Sequence, residues 1–124
     1  MTNNSEFSKN NMPLDPQVPM FSISVIAGIL NIKVSTLRTY EKAKLILPTR
    51  SPKNRRLYSL NDIERCKFMQ YLNKTLKINL TGVKIILCLL AEIEVKPFEY
   101  LNYVNKVSEK MKFYTNYLEI QSQN

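Results

Sequence analysis

Val34-Ser35-Thr36-Leu37-Arg38-Thr39-Tyr40-Glu41-Lys42 is the stretch on which the fold turns. It reads as a short helix that opens on small polar residues, with Leu37 and Tyr40 on its inward side. Just upstream, Ser24 to Leu30 reads as a second short helix. Ile23, Ile26, Ala27 and Leu30 follow the i, i+3, i+4, i+7 spacing of one apolar face, and Ser22 or Ser24 can cap it. Ala27 is small where a second helix must cross closely. Only Asn31-Ile32-Lys33 separates the two helices, so the link is a tight turn, and Asn31 stands where a left-handed backbone is usual. Helix, tight turn, helix is the arrangement whose second helix enters the DNA major groove; an ordinary helical hairpin is the alternative.

Charge favours the first reading. The chain has 124 residues, enough for one small core plus an appendage, and a net charge of +8 that suits a polyanionic partner. The charge is concentrated. Residues 21–58 hold eight bases (Lys33, Arg38, Lys42, Lys44, Arg50, Lys53, Arg55, Arg56) against the single acid Glu41, whereas residues 1–20 and 91–124 are each slightly acidic. With 44% hydrophobic residues the chain can build a core, and with Gly 2 and Pro 6 a loop-rich all-β fold is disfavoured. A mainly α fold is expected.

Several function classes drop out. Histidine is absent, which removes the commonest general base and metal ligand, and no Gly-rich phosphate loop or paired acids replace it. An enzyme is not expected, nor a metal or any other cofactor. Cys66 and Cys88 are far apart, out of metal-ligand spacing, and read as buried structural thiols on or near inner helix faces. The N-terminus has no signal segment, and the longest apolar run, Ile85 to Ala91, is far below the roughly 20 residues of a membrane span. A cytoplasmic protein without membrane contact is expected.

Residues 1–20, rich in Asn, Ser and Pro, read as a flexible tail, ordered near Val18 to Met20. After Lys42, two short extended pieces flank the turn Ser51-Pro52-Lys53-Asn54, which is a β-hairpin pattern. Its bases make it a wing laid along phosphates or, more blandly, a solvated turn. Ser59-Leu60-Asn61-Asp62 starts a third helix that runs to about Asn73, with Ile63, Cys66, Met69 and Leu72 inward. A loop from Thr75 to Asn79 leads to a fourth helix with the face Val83, Ile86, Leu87 and Leu90. This pair, with Lys74 and Lys77 between, forms a second, helical wing or only pads the core. Pro97 suits the first turn of a last helix. There Tyr100, Val104, Val107, Met111, Tyr114 and Leu118 are spaced 4, 3, 4, 3, 4, the seam of a coiled coil. About three heptads cannot stand alone in water, so the seam packs on its own domain or, as we favour, on a second copy. A two-fold dimer matches a palindromic DNA site.

The segments Phe21–Ala27, Ser35–Lys42, Leu45, Pro48–Arg50 and Asn54–Ile63 together resemble the MerR-type transcriptional regulators, over roughly residues 21–90. Thr36-Leu37-Arg38, Arg56-Leu57-Tyr58-Ser59 and Asn79 to Leu87 look most like the HspR-type heat-shock repressors. The GlnR-type nitrogen regulators share Asn54-Arg55-Arg56 and Gly82-Val83-Lys84 and are the close rival. Lys44 departs from the family's usual Gly, and Lys33-Val34-Ser35 replaces a His-Pro-Gln run common in HspR-type proteins. The resemblance implies three parts: a tail over 1–20, a winged helix-turn-helix DNA-binding domain over 21–90, and a connector with a C-terminal dimerisation helix over 91–124 that forms an antiparallel coiled coil. It implies a homodimer on inverted repeats in double-stranded DNA and, for the HspR type, repression of chaperone operons with the DnaK chaperone as corepressor. A ligand-sensing activator would need a larger effector domain than residues 91–124, and a DNA-bending accessory protein need not dimerise.

Residue roles follow from these readings. Arg38 and Tyr40 are expected to clamp phosphates beside the reading helix, and Arg50, Lys53, Arg55 and above all Arg56 to grip them from the wing. Ser35, Thr36 and Thr39, with Lys33, are the candidates for base-edge contact.

Overall fold

The structure is a computed structural model that describes residues 15–123; the first fourteen residues of the expected tail lie outside the described residues. It divides into two compact units, the first running through Lys67 and the second beginning at Phe68.

In the first unit a short strand β1 (Phe21–Ser22) leads into helix α1 (Ile23–Leu30), and helix α2 (Val34–Lys42) follows. The hairpin is formed by β2 (Thr49–Arg50) and β3 (Arg56–Tyr58), and α3 (Leu60–Gln70) begins two residues later. The strands make a small antiparallel sheet in the order β1-β3-β2, with Phe21 opposite Tyr58 and Arg50 opposite Arg56. β1 is not foreseen by the sequence. Two residues are too few to show a period, and the pairing that creates the strand is with a partner more than thirty residues along.

Ser22, the last residue of β1, caps α1: its hydroxyl accepts from the Val25 amide at 3.3 Å. Ile26 and Ala27 are buried, as the apolar spacing requires. Asn31 ends α1 at φ 56°, ψ 48°, and its amide and that of Ile32 return to the Gly28 and Ala27 carbonyls. α2 buries Leu37 and Tyr40. Its exit is made at Lys44, which adopts φ 61° and, with Leu45, closes on the Glu41 and Tyr40 carbonyls at 3.0 Å each. A lysine therefore takes the left-handed position that the MerR-type pattern gives to glycine.

The segment before β1 is held rather than loose. The Met20 amide donates to Tyr58 O at 2.9 Å and the Asn61 amide to Pro16 O at 3.0 Å, so the segment is tied down at Pro16 as well as near the Val18 to Met20 expected from sequence. α3 opens on a reciprocal cap. The Ser59 amide donates to Asp62 Oδ2 at 2.9 Å and the Asp62 amide to the Ser59 hydroxyl at 3.1 Å.

In the second unit α3 ends in one wide π turn (Tyr71–Thr75). Helix α4 (Leu80–Glu92) is capped by Asn79, whose side chain accepts from the Gly82 amide at 2.8 Å. A single 3-10 turn (Pro97–Glu99) runs into the 23-residue α5 (Tyr100–Ser122). Phe68, Met69, Leu72, Val83, Leu90 and Tyr100 are buried, with the rings of Phe68 and Tyr100 5.0 Å apart. No helix among the described residues is long and apolar enough to cross a membrane.

Lys44→Gly relieves the Cβ clash of a left-handed L-residue but frees the unfolded chain. The balance is an expected gain of about 0.5 kcal/mol. A urea titration should show a higher midpoint at an unchanged slope; a lower midpoint would mean that the lysine side chain makes a contact worth more than the strain.

Candidate nucleic-acid interface

α2 is two-faced. Leu37 and Tyr40 lie three residues apart and face the core, so the remaining positions are pushed outward. Lys33, Ser35, Arg38, Thr39 and Lys42 are exposed and Thr36 is half-buried. The Thr39 hydroxyl donates to Ser35 O at 3.1 Å, which leaves its lone pairs as acceptors. Lys33 precedes the first turn without capping it through its side chain, so the amides there are free of a side-chain acceptor.

The hairpin turn is built tightly. Asn54 takes φ 62°, its amide donates to Ser51 O at 2.8 Å, and the Ser51 hydroxyl accepts from the Arg55 amide at 3.1 Å. Arg50 Nη1 donates to Asn54 O at 3.1 Å, so this cation braces the turn. Lys53 and Arg55 are exposed.

Arg56 is held as well. Its Nε donates to Glu41 Oε1 at 2.9 Å, and the Tyr58 hydroxyl donates to the other oxygen, Oε2. One carboxylate near the end of α2 thus grips two same-side residues of β3. The Tyr58 ring is fully buried; burial first, and then its bond to Glu41, push its hydroxyl well above the ordinary tyrosine range, so it remains the proton donor. Glu41 has no part in the site as read from sequence. The signal was present, as the one acid among eight bases, but its partners lie 15 and 17 residues away.

Tyr40, expected at a phosphate, is turned inward in this structure. It is 2% exposed, and its hydroxyl is buried with no hydrogen-bond partner among the described residues. Burial, and after it the nearby Cys66, raise its pKa. Cys66 is buried, and burial pushes its thiol up to about 12, which makes it unreactive at neutral pH. Cys88 departs from expectation: it is exposed on α4, off the face that carries Val83 and Leu90.

The second unit carries the other expected residues. Lys74 and Lys77, at the π turn and the loop after it, are exposed. Along α5, Val104 is half-buried, while Val107, Met111, Tyr114 and Leu118 are exposed, Met111 at 65%. Tyr100 separates from this line. It is 5% exposed, with its ring tilted against that of Phe68, so it is spent inside its own unit.

The arrangement is that of known proteins. The sequence profile described as "MerR HTH family regulatory protein" matches residues 21–88. The chain is 34% identical over 94 residues to the heat shock protein HspR of Streptomyces coelicolor, covering 73% of this chain and 62% of that one. It is 33% identical over 70 residues to the transcriptional regulator GlnR of Bacillus anthracis, covering 56% and 53%. The match therefore spans less than two thirds of each relative's length. In fold it resembles the crystal structure of HiNmlR, titled a MerR family regulator lacking the sensor domain and bound to promoter DNA. There the TM-score is 0.53 at 22% identity, over 80% of this chain and 78% of that one. GlnR and HiNmlR are both named as regulators.

Removing the Tyr40 hydroxyl deletes a buried polar group that lacks a partner. Tyr40→Phe should leave DNA affinity unchanged and raise stability by up to about 1 kcal/mol, read by thermal melting and a filter-binding titration. A fall in affinity would restore Tyr40 to the interface.

Proposed function

The chain belongs to the MerR HTH family of regulatory proteins, and from that premise we propose that it is a homodimeric repressor that binds inverted repeats at heat-shock operons. As a member of that family it is a DNA-binding transcriptional regulator. The observation that carries the reading is the split of α2: two residues are buried beneath it, and Lys33, Ser35, Arg38, Thr39 and Lys42 are turned to solvent beside a cationic hairpin. A helix that spends only two side chains on its core has the rest available for a duplex. Ser35, Thr36, Thr39 and Lys33 suit base edges; Arg38, Lys53 and Arg55 suit phosphates.

Dimerisation is supported by the line Val104, Val107, Met111, Tyr114, Leu118. Four of these five apolar side chains are exposed in a single chain, at a spacing that fits a second α5. The heat-shock assignment is supported by the longer match to HspR, 94 residues against 70 for GlnR. In this reading the protein acts in the cytoplasm, and a chaperone of the DnaK type serves as corepressor.

Mapping of bound sites across the genome tests the whole. Peaks at chaperone promoters are expected. Peaks at glutamine synthetase would make the protein a nitrogen regulator, and a diffuse pattern would turn it into an architectural DNA-bending factor. Two variants test the parts. Arg38→Ala should flatten the log–log salt dependence of binding by about one. Met111→Glu should shift sedimentation from dimer to monomer and weaken binding to the inverted repeat by on the order of 100-fold, as one half-site grip is lost. A Met111→Glu chain that sediments unchanged would remove α5 as the pairing element.

A further inference from the structure

We propose that Glu41 is a positioning residue for the DNA grip: it fixes the hairpin to the reading helix and holds the Arg56 guanidinium ready for a phosphate. The inference rests on α2 and the hairpin being the DNA interface. Three observations lead to it.

Glu41 is the only acid among residues 21–58, a segment that holds eight bases and, on the reading above, meets a polyanion. A negative charge there opposes the ligand. It is also the penultimate residue of α2, where the helix dipole disfavours an anion. Something must offset both penalties.

Both carboxylate oxygens are in use, and both bonds go to β3. Arg56 Nε donates to Oε1 at 2.9 Å and the Tyr58 hydroxyl to Oε2. Arg56 and Tyr58 alternate with Leu57, so they share one side of the strand. Two bonds from one group to two points of a strand fix its rotation relative to the helix as well as its distance, which one bond could not do.

The contact leaves the outer end of Arg56 uncommitted. The bond uses Nε; no hydrogen bond among the described residues uses Nη1 or Nη2, and the side chain remains 31% exposed against 14% for Glu41. An arginine free on the surface must give up rotamer freedom when it meets a phosphate. One already held at Nε has lost much of that freedom on folding, and the four remaining N–H groups are presented in a fixed plane.

The proposal predicts the opposite sign from simple charge. If Glu41 is only an unfavourable anion, Glu41→Ala should bind any DNA better. If it positions Arg56, Glu41→Ala should bind the duplex that the wild-type chain selects from a random pool roughly tenfold more weakly, and lose about one from its salt slope. Binding to a scrambled duplex should not fall. Glu41→Gln, which keeps an acceptor for Nε, should recover part of the loss. In an Arg56→Ala background, Glu41→Ala should cost no more than the two- to threefold expected from the Tyr58 bond, because the cation it positions is gone.

A gain in affinity on both duplexes, or an equal further loss in the Arg56→Ala background, overturns the proposal. Should Glu41→Ala fail to melt cooperatively, Tyr58→Phe removes one of the two bonds without changing charge. It should weaken binding to the selected duplex by two- to threefold, and no change there is equally fatal. A wild-type chain that binds no duplex in a salt-dependent way refutes the wider DNA-binding reading instead, whatever Glu41 does.

Discussion

Nine residues are too few for a helix to stand alone in water, and α2 has only nine. It exists because Leu37 and Tyr40 are buried beneath it and because both of its ends are tied: Asn31 turns the chain into it and Lys44 turns the chain out. That dependence organises the first unit. The sheet, the turn before α2 and the start of α3 form a frame, and the reading face is whatever the frame does not consume. Leu37 is fully buried, so the three exposed residues that flank it in sequence, Ser35, Arg38 and Thr39, are set by its depth and not by their own preferences.

The elements that follow a period could be read from sequence, and those made by distant pairing could not. α1, α2, the hairpin, α3, α4 and α5 show their apolar spacing or turn residues within a dozen positions. Asn31 and the Ser59 cap are equally local. β1 is a product of its partner strand and carries no pattern of its own. The same divide runs through the interface. That Ser35, Arg38, Thr39, Lys53 and Arg55 are exposed follows from helix phase and turn composition. That Glu41 takes up Arg56 and Tyr58 depends on how the hairpin folds back, which no window along the chain reports. Tyr40 is the instructive case. Its spacing from Leu37 makes it inward, while it is also expected at a phosphate; in the structure the hydroxyl is buried along with the ring.

The chain makes its left-handed turns with residues other than glycine. Asn31, Lys44, Asn54, Lys77 and Glu94 all have φ near 60°, whereas neither of the two glycines adopts a positive φ. Asparagine bears this conformation with little strain; lysine and glutamate do so at greater cost. The cost is accepted where backbone hydrogen bonds close the turn, as at Lys44. At two of these five positions the side chain is an exposed cation, Lys44 in the first unit and Lys77 in the second. Glycine would ease the turn and remove the charge.

That exchange bears on how a cationic surface can be rigid. Eight bases in 38 residues repel one another, and repulsion favours spreading and motion over order. Anchoring every one with an acid would restore order but cancel the field that attracts DNA. The first unit divides the task. Arg50 is braced by the carbonyl of Asn54, a neutral acceptor that fixes the side chain without taking its charge. Arg56 is held by Glu41, and that single anion also bonds Tyr58, so one unit of lost charge fixes two strand residues. Lys33, Arg38, Lys53 and Arg55 remain exposed. The tie between β3 and α2 thus consumes one acid, and most of the unit's positive charge stays turned to solvent.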